Sequence, residues 1–176
     1  MNGRIASLAL DRFRAGGFRG TSIADLATAL GVSKAAIYYH YRSKEALLHH
    51  LIDPLLDAID ACIEDHTPQT ATPRTVRGFL DAYLAVLIAH RAVVALLATD
   101  VAVSNHPAIS PRLHTQSQQL HAVLAAPDTS VAGTLRAEAA LGAIWRPLVA
   151  DLQVDLTDPA HQRTLIDAAL ATLQTA

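Results

Sequence analysis

Residues 21–44, with the sequence TSIADLATALGVSKAAIYYHYRSK, constrain the fold of this chain more than any other stretch. Ser22 is suited to cap a helix, and Asp25, three residues later, forms a short version of the capping box. Apolar residues then recur at helical spacing on one face: Ile23, Leu26, Ala27 and Leu30. Gly31 marks a turn, because glycine adopts positive φ at little cost, and Ser33 offers a second N-cap. The pattern predicts two short helices joined by a tight turn.

Such a pair of helices is a helix-turn-helix, whose second helix enters the major groove of DNA. The expected core positions are Ile23, Leu26, Ala27, Leu30, Val32, Ile37 and Tyr41. The second helix then leaves six residues exposed: Lys34, Ala35, Ala36, Tyr38, Tyr39 and His40. Lysine donates to guanine or phosphate, alanine touches a thymine methyl group, and tyrosine and histidine donors suit phosphates. An aromatic cluster packed inside a helical bundle is the alternative, but it explains Tyr39 and His40 poorly.

The charge of the chain is divided unevenly along its length. Residues 1–50 hold seven basic and three acidic residues, a net charge of +4, which leaves −6 for the remainder of a chain whose total is −2. A basic end on an acidic protein is the arrangement expected when one end approaches DNA. Taken without the motif, the seven cations could equally be the solvated surface of small helices.

A longer set of residues in the first third of the chain has a recognisable pattern. Its members are Phe13, Gly17-Phe18, Thr21-Ser22, Ala27, Gly31-Val32-Ser33, Ile37-Tyr38, His40-Tyr41 and Ser43-Lys44-Glu45-Ala46-Leu47. This set resembles the N-terminal signature of tetracycline-repressor-type (TetR family) transcriptional regulators, with Tyr41 where many relatives have phenylalanine. The resemblance implies that Lys34, Ala36 and Tyr39 face base edges. It also implies contacts to the DNA backbone from Tyr38, His40 and Lys44, and a phosphate held by Thr21 and Ser22.

Composition and periodicity predict helices along the whole chain. Hydrophobic residues make up 51% of the 176 residues and aromatic residues only 5%, so small and branched aliphatic side chains build the core. Most of the chain has a period near 3.6, and no segment shows the alternation of a strand. We predict an all-α protein of about nine helices. Residues 1–46 form a three-helix, helix-turn-helix DNA-binding head, and residues 47–176 form a helical ligand-binding and dimerisation body.

The expected helices of the body are separated by proline-containing segments. Besides the helix capped by Ser43, we expect helices at about 74–89, 92–103, 112–125, 130–152 and 158–173, with loops at 66–73 and 104–111. The first body helix meets Asp53-Pro54, which either kinks it or splits it into two helices. A hinge and a rigid kink are equally compatible with this dipeptide.

The last two helices carry many small and apolar residues: Val131, Leu135, Ala139, Gly142, Ala143, Leu165, Ile166, Ala169, Leu170 and Leu173. So many apolar positions predict a homodimer interface, with a thick intramolecular core as the alternative. The resemblance also implies pairing through these helices, and a two-fold dimer would read a pseudo-palindromic operator. Polar and large side chains within the apolar body are candidate contacts to a small apolar or amphipathic ligand: Tyr83, Asp100, His121, Trp145 and Arg146.

Other kinds of protein have little support in the sequence. The single cysteine, Cys62, allows no internal disulfide, and the nine histidines lack the spacing of a metal site. We therefore expect no cofactor, no metal and no enzymatic activity. We also expect no signal peptide, no membrane helix and a cytoplasmic location. The sequence predicts a ligand-responsive repressor; the alternatives are activation, or a small-molecule-binding or interaction protein whose head no longer reads DNA.

Overall fold

The structure, a computed structural model, describes residues 1–66, 73–126, 128–150 and 152–174. These residues form ten helices and no strand, which confirms the predicted all-α fold. The helices are α1 (Asn2–Gly16), α2 (Ile23–Leu30), α3 (Lys34–His40), α4 (Lys44–His66), α5 (Pro73–Ala89), α6 (Arg91–Thr99), α7 (Val101–Ser104), α8 (Ser110–Ala125), α9 (Val131–Val149) and α10 (Pro159–Gln174). The predicted loop at 66–73 lies almost wholly outside the described residues.

The head is built around two aromatic side chains, because its short helices need tertiary packing to be stable. Phe13 of α1 and Phe18 of the following turn are both buried, and their rings meet edge to face at 5.1 Å between centroids. Around them lie buried apolar and aromatic side chains of the head: Ile5, Ala9, Ile23, Leu26, Ala27, Ile37 and Tyr41. Of the predicted core positions, only Leu30 and Val32 are less than fully buried, and both still pack against the core.

Helix α4 joins the head to the body without interruption. Pro54 lies inside this single helix, so the predicted alternative of two helices split at Asp53-Pro54 is wrong. An internal proline costs roughly 3 kcal/mol. Four fully buried or nearly buried side chains flank it and offset that cost: Leu51, Ile52, Leu55 and Leu56. The predicted cap is present, since Ser43 Oγ accepts the Ala46 N–H at 3.0 Å.

The body packs α9 and α10 against each other, with α8 and α6 against α9, and α5 and α8 against α4. The single helix expected at 92–103 is in fact two, α6 and α7, which meet at Asp100. The backbone of Asp100 is extended, with φ −105° and ψ 97°, and its carboxylate accepts the Ala102 N–H at 2.9 Å. An aspartate that caps the next helix ends the previous one, and this explains the break.

Among the described residues, no single helix is long and apolar enough to cross a membrane. The segments Thr75–Ala89 and Arg91–Thr99 reach the required length and apolarity only as a pair, and they are bent by 84° relative to each other. Both supply the core of the body, with the buried residues Phe79, Leu80, Tyr83, Leu84, Leu87, Val93, Val94 and Leu96.

Candidate functional site

The outer surface of α3 is the most exposed aromatic surface in the described structure. Ser33 Oγ accepts the Ala36 N–H at 3.2 Å and starts the helix, while Ile37 is fully buried and anchors it. Tyr39 is 86% exposed and Tyr38 47% exposed, which is unusual for side chains of this size. Of the six residues expected on this surface, Lys34 and Ala35 are also exposed, and Ala36 and His40 are partly buried. The sequence therefore predicted this surface correctly from helical spacing.

The N-terminus of α2, the helix that packs against α3, is closed by the predicted capping box. Ser22 N–H donates to Asp25 Oδ2 at 2.8 Å, and Asp25 N–H donates to Ser22 Oγ at 3.2 Å. The Ser22 hydroxyl also donates to Asp25 Oδ2 at 2.7 Å. Hydrogen bonds from Ser22 lower the pKa of Asp25, first from its side chain and then from its backbone. The Ser22 proton is thus committed to Asp25, and a phosphate at this point would compete with that bond.

Two expected DNA contacts are instead turned into the head. Thr21 is buried, and its hydroxyl lies 3.0 Å from the carbonyl oxygen of Gly17. The Lys44 ammonium donates to the carbonyl oxygens of Phe18 at 2.9 Å and of Thr21 at 3.1 Å. It also lies 4.3 Å from the centroid of the Phe18 ring, a cation–π distance. Both side chains hold the turn between α1 and α2.

A joint between head and body forms around the same turn. Asp100 Oδ2 accepts the Phe18 N–H at 2.6 Å, across 82 positions of sequence. Gly17 makes the turn possible with a φ of +76°, in the region that favours glycine. On the body side, the His106 ring meets the Phe18 ring at 6.0 Å and the His49 ring at 6.4 Å. Asp100, predicted as a ligand contact, thus binds the head, and nothing local in the sequence indicates this pairing.

The other four candidate ligand contacts differ in their burial and in the side chains that they contact. Tyr83 is buried and stacks on Phe79 at 6.0 Å, and burial raises the pKa of its hydroxyl well above the usual value. His121 Nε2 lies 2.6 Å from Glu138 Oε2, and the charge of Glu138 adds to the pKa increase at Tyr83. Trp145 and Arg146 lie instead on the exposed side of α9. Of these four residues, Tyr83 and His121 are the two that share a neighbour, Glu138.

A cleft of about 400 Å³ between α4 and α8 was missed by sequence reasoning. Its lining consists of Asp60, Ile63, Glu64, Pro111, Arg112, Thr115, Gln116 and Gln119. The Arg112 guanidinium binds Asp60 at 2.5 Å and Asp57 at 2.6 Å. Gln116 is 3% exposed, and its amide nitrogen donates to Leu56 O at 2.7 Å and to Asp60 Oδ1 at 2.6 Å. These partners lie more than 50 positions away in sequence, which is why no pattern revealed the cleft.

Metal and thiol chemistry find no support in the described residues. No group of three or more histidine, cysteine, aspartate and glutamate side chains there is placed to hold a metal ion. Cys62 is buried, as expected of a small core residue, and burial raises the pKa of its thiol to about 11. The thiol is therefore protonated at neutral pH and is a poor nucleophile or metal ligand.

An apolar surface remains uncovered on α9 and α10. Val131 is 79% exposed and Leu135 is 64% exposed, both on α9. A shallow, nearly wholly apolar groove follows, lined by Leu135, Arg136, Ala139, Ala171 and Thr172. In contrast, Ile166 and Ala169 of the predicted interface are fully buried within the body. We call the exposed set, Val131, Leu135, Ala139 and Ala171, the α9–α10 surface.

Fold and site together define a class: an all-α protein with a helix-turn-helix head on a helical body. Residues 5–51 match the family model described as bacterial regulatory proteins, tetR family. The chain is 39% identical over 77 residues to the HTH-type transcriptional regulator RutR of Escherichia coli K12, a match covering 42% of this chain and 36% of RutR. It is 30% identical over 95 residues to the HTH-type transcriptional repressor KstR2 of Mycobacterium tuberculosis H37Rv, covering 53% and 48% respectively. The matched stretches span about a third to a half of these relatives.

Solved structures agree with the fold over nearly the whole chain. The ketosteroid transcriptional regulator KstR2 of Mycobacterium tuberculosis superposes with a TM-score of 0.77 and 22% identity, covering 97% of this chain and 93% of that one. The TetR family regulator PfmR of Thermus thermophilus gives a TM-score of 0.68 and 24% identity, covering 98% and 100%. The N-terminal part of the chain, residues 5–51, thus matches the tetR family of bacterial regulatory proteins, and the fold of the whole chain is that of the TetR-family structures. The relatives are named as transcriptional regulators, which confirms that the family is not one of enzymes.

Proposed function

We propose that this chain is a ligand-responsive transcriptional repressor that binds a pseudo-palindromic operator as a homodimer and is released by a small molecule. The exposed surface of α3 is the observation that carries the proposal. A helix of seven residues that buries Ile37 and exposes Tyr39 to 86% has its large side chains directed at a partner. The net charge of +4 over residues 1–50 favours a polyanion as that partner.

The roles proposed for the head residues combine what the family resemblance implies with the exposure of each side chain. Lys34, Ala36 and Tyr39 read base edges, Ala35 allows close approach of the backbone, and Tyr38 and His40 contact phosphates. Thr21 and Lys44 hold the α1–α2 turn and so position the N-terminus of α2. A DNA phosphate there would meet Ser22 in competition with the Ser22–Asp25 hydrogen bond. Lys34 is the only cation on α3, so operator shape contributes to specificity.

Dimerisation through the α9–α10 surface would hold the DNA-binding heads of two copies at a fixed distance from each other. Two exposed aliphatic side chains beside an apolar groove are costly on a monomer and are covered when a second copy packs on them. Because most homo-oligomers are two-fold symmetric, the two α3 helices would meet half-sites about one DNA turn apart, roughly 34 Å. The operator is therefore a pseudo-palindrome, and the protein acts in the cytoplasm, where that DNA lies.

Release requires a ligand that binds the DNA-free arrangement of the heads more tightly than the DNA-bound one. Helix α4 begins beside the head at Lys44 and continues as one element into the body, where it packs against α5 and α8. The Asp100–Phe18 bond adds a second connection. A small apolar or amphipathic molecule in the body can act on the heads through both connections.

The Lys34→Ala/Tyr39→Ala double variant tests the proposal on DNA flanking the chain's own gene. Removing one specific contact to a base costs about 1–3 kcal/mol, and the double variant removes the Lys34 and Tyr39 contacts from both subunits of the dimer. We therefore expect operator affinity to fall at least about a hundredfold in a fluorescence-anisotropy titration, with little change in affinity for random DNA. Arg77→Ala is the control, since it removes one cation from the body, where Arg77 pairs with the exposed Asp167.

The same titration distinguishes a DNA-binding regulator from a small-molecule-binding or interaction protein. If the unaltered protein binds random and flanking DNA equally well, specific regulation is refuted. If it ignores all DNA even at low salt, the body alone acts, as a small-molecule-binding or interaction protein. A reporter driven by the operator then distinguishes repression from activation.

A further inference from the structure

The α4–α8 cleft has a chemical character that the rest of the body lacks. Its α4 wall carries Asp57, Asp60 and Glu64 on one face of the helix, since they are spaced by three and four residues. From α8 only Arg112 opposes them. Arg112 is fully engaged by Asp57 and Asp60, and Glu64 has no ion-pair partner among the described residues. The charged residues that line the cleft, Asp60, Glu64 and Arg112, therefore sum to −1. Asp57, which binds Arg112, adds a further negative charge, and the Glu64 carboxylate is left without an ion pair among the described residues.

Gln116 is a second, independent feature of the cleft that favours a ligand with a hydrogen-bond donor. Its amide nitrogen faces two acceptors, Leu56 O and Asp60 Oδ1, so the amide is fixed with Nε2 towards them. The amide oxygen, Oε1, is left buried without a hydrogen-bond partner. A buried acceptor without a donor is costly, and native structures hold few of them. Gln116 lines the cleft and is 97% buried, so a donor brought in by a ligand would satisfy it.

We propose that this cleft binds a small organic cation, an amidinium or ammonium group on a short apolar body. Its N–H groups donate to the Glu64 carboxylate and to Gln116 Oε1, and its apolar part lies against Ile63 and Pro111. The volume of about 400 Å³ suits a molecule of this size. An anion would meet a net negative cleft whose one guanidinium is already paired.

The position of the cleft connects its occupancy to the head, and this part rests on the proposed function. Glu64 and Lys44 lie at opposite ends of α4, twenty residues or roughly 30 Å apart, and Lys44 holds the α1–α2 turn. On the other wall, α8 begins at Ser110, four residues after His106, whose ring contacts Phe18. A ligand that alters the packing of α4 against α8 thus acts on both contacts to the head.

Calorimetric titration with benzamidine tests the site, and two near-isosteric probes test its charge preference. We expect benzamidine to bind, neutral benzamide to bind at least about tenfold more weakly, and benzoate not to bind. Glu64→Gln should lower benzamidine affinity about tenfold or more, because it removes the carboxylate that pairs with the amidinium. The fold should stay intact, since Glu64 is exposed. Asp65→Asn is the matched control: it removes the neighbouring exposed carboxylate of α4, which does not line the cleft.

Gln116→Met removes the amide at similar volume and should lower benzamidine affinity further, provided that circular dichroism shows a folded protein. Equal binding of benzamidine and benzamide, or equal affinities of Glu64→Gln and Asp65→Asn, would overturn the site. Operator binding without benzamidine binding defeats this inference alone, and benzamidine binding without operator binding defeats the proposed function alone. Benzamidine that binds the cleft and leaves operator affinity unchanged overturns its role as an effector site.

Discussion

Leu135→Glu is expected to turn a dimer into a monomer and to lower operator affinity on the order of a hundredfold to ten-thousandfold, the range lost when two linked sites act separately. Leu135 is 64% exposed beside a groove that is almost wholly apolar. A carboxylate is well solvated there in a monomer. On the two-fold surface of a dimer, however, two such charges would be desolvated close to each other. Light scattering after size exclusion measures the mass, and anisotropy on the operator measures the affinity.

The control for this variant is Val101→Glu. Val101 is 68% exposed, lies at the first position of α7 and lines a cleft with Phe18 and Arg19 of the head, apart from the α9–α10 surface. A glutamate at a helix N-terminus is also favourable, so stability should be kept. If Leu135→Glu and Val101→Glu have the same mass as the unaltered chain, the α9–α10 surface is not the dimer interface.

Local interactions explain which parts of the head could be predicted from sequence. The caps at Ser22 and Ser33 involve partners three residues away, so a short pattern contains all their information. The same is true of the exposed face of α3, which follows from a buried Ile37 and the helical repeat. These features were predicted correctly, and the family match to residues 5–51 covers the same stretch.

Long-range packing explains the features that sequence reasoning missed. Pro54 has the local chemistry of a helix start, yet buried leucines on both sides keep α4 continuous. Lys44 has the appearance of a free cation, but its partners, Phe18 and Thr21, lie more than 20 positions earlier. Gln116 looks like an ordinary exposed helix residue until α4 packs against it. In each case tertiary contacts override the local pattern.

The same distinction explains the candidate ligand contacts. They were chosen as polar or large residues in apolar helices. That criterion gives the position of a residue along the chain, but not whether its side chain faces the interior or the solvent. Helix α9 shows the difference, since Ile144 is fully buried while its neighbour Trp145 is 36% exposed. Only a packed structure tells which of two adjacent residues faces the interior.

Asp100 provides the second large expected effect, because one carboxylate connects the head to the body. Asp100→Ala should lower the free energy of unfolding by about 2–4 kcal/mol, since it removes both a charge-assisted bond to Phe18 N–H and a helix cap. Asp100→Asn should lose nearly as much. Both carboxylate oxygens accept an N–H, one from Phe18 and one from Ala102, whereas an amide offers one acceptor and must turn its NH₂ towards the other donor. Urea unfolding followed by circular dichroism measures these changes.

Asp158→Ala is the matched control for Asp100. Asp158 accepts the Ala160 N–H at 2.7 Å at the start of α10, with the same two-residue spacing as Asp100 and Ala102, and it makes no bond to the head. Its loss should cost about 1 kcal/mol, the usual value of a cap. The excess for Asp100 then measures the bond to Phe18 across the joint. Equal losses for the two alanine variants would mean that this bond adds nothing, and the body would act on the head through α4 and through the other contacts of the joint, such as the His106–Phe18 ring contact.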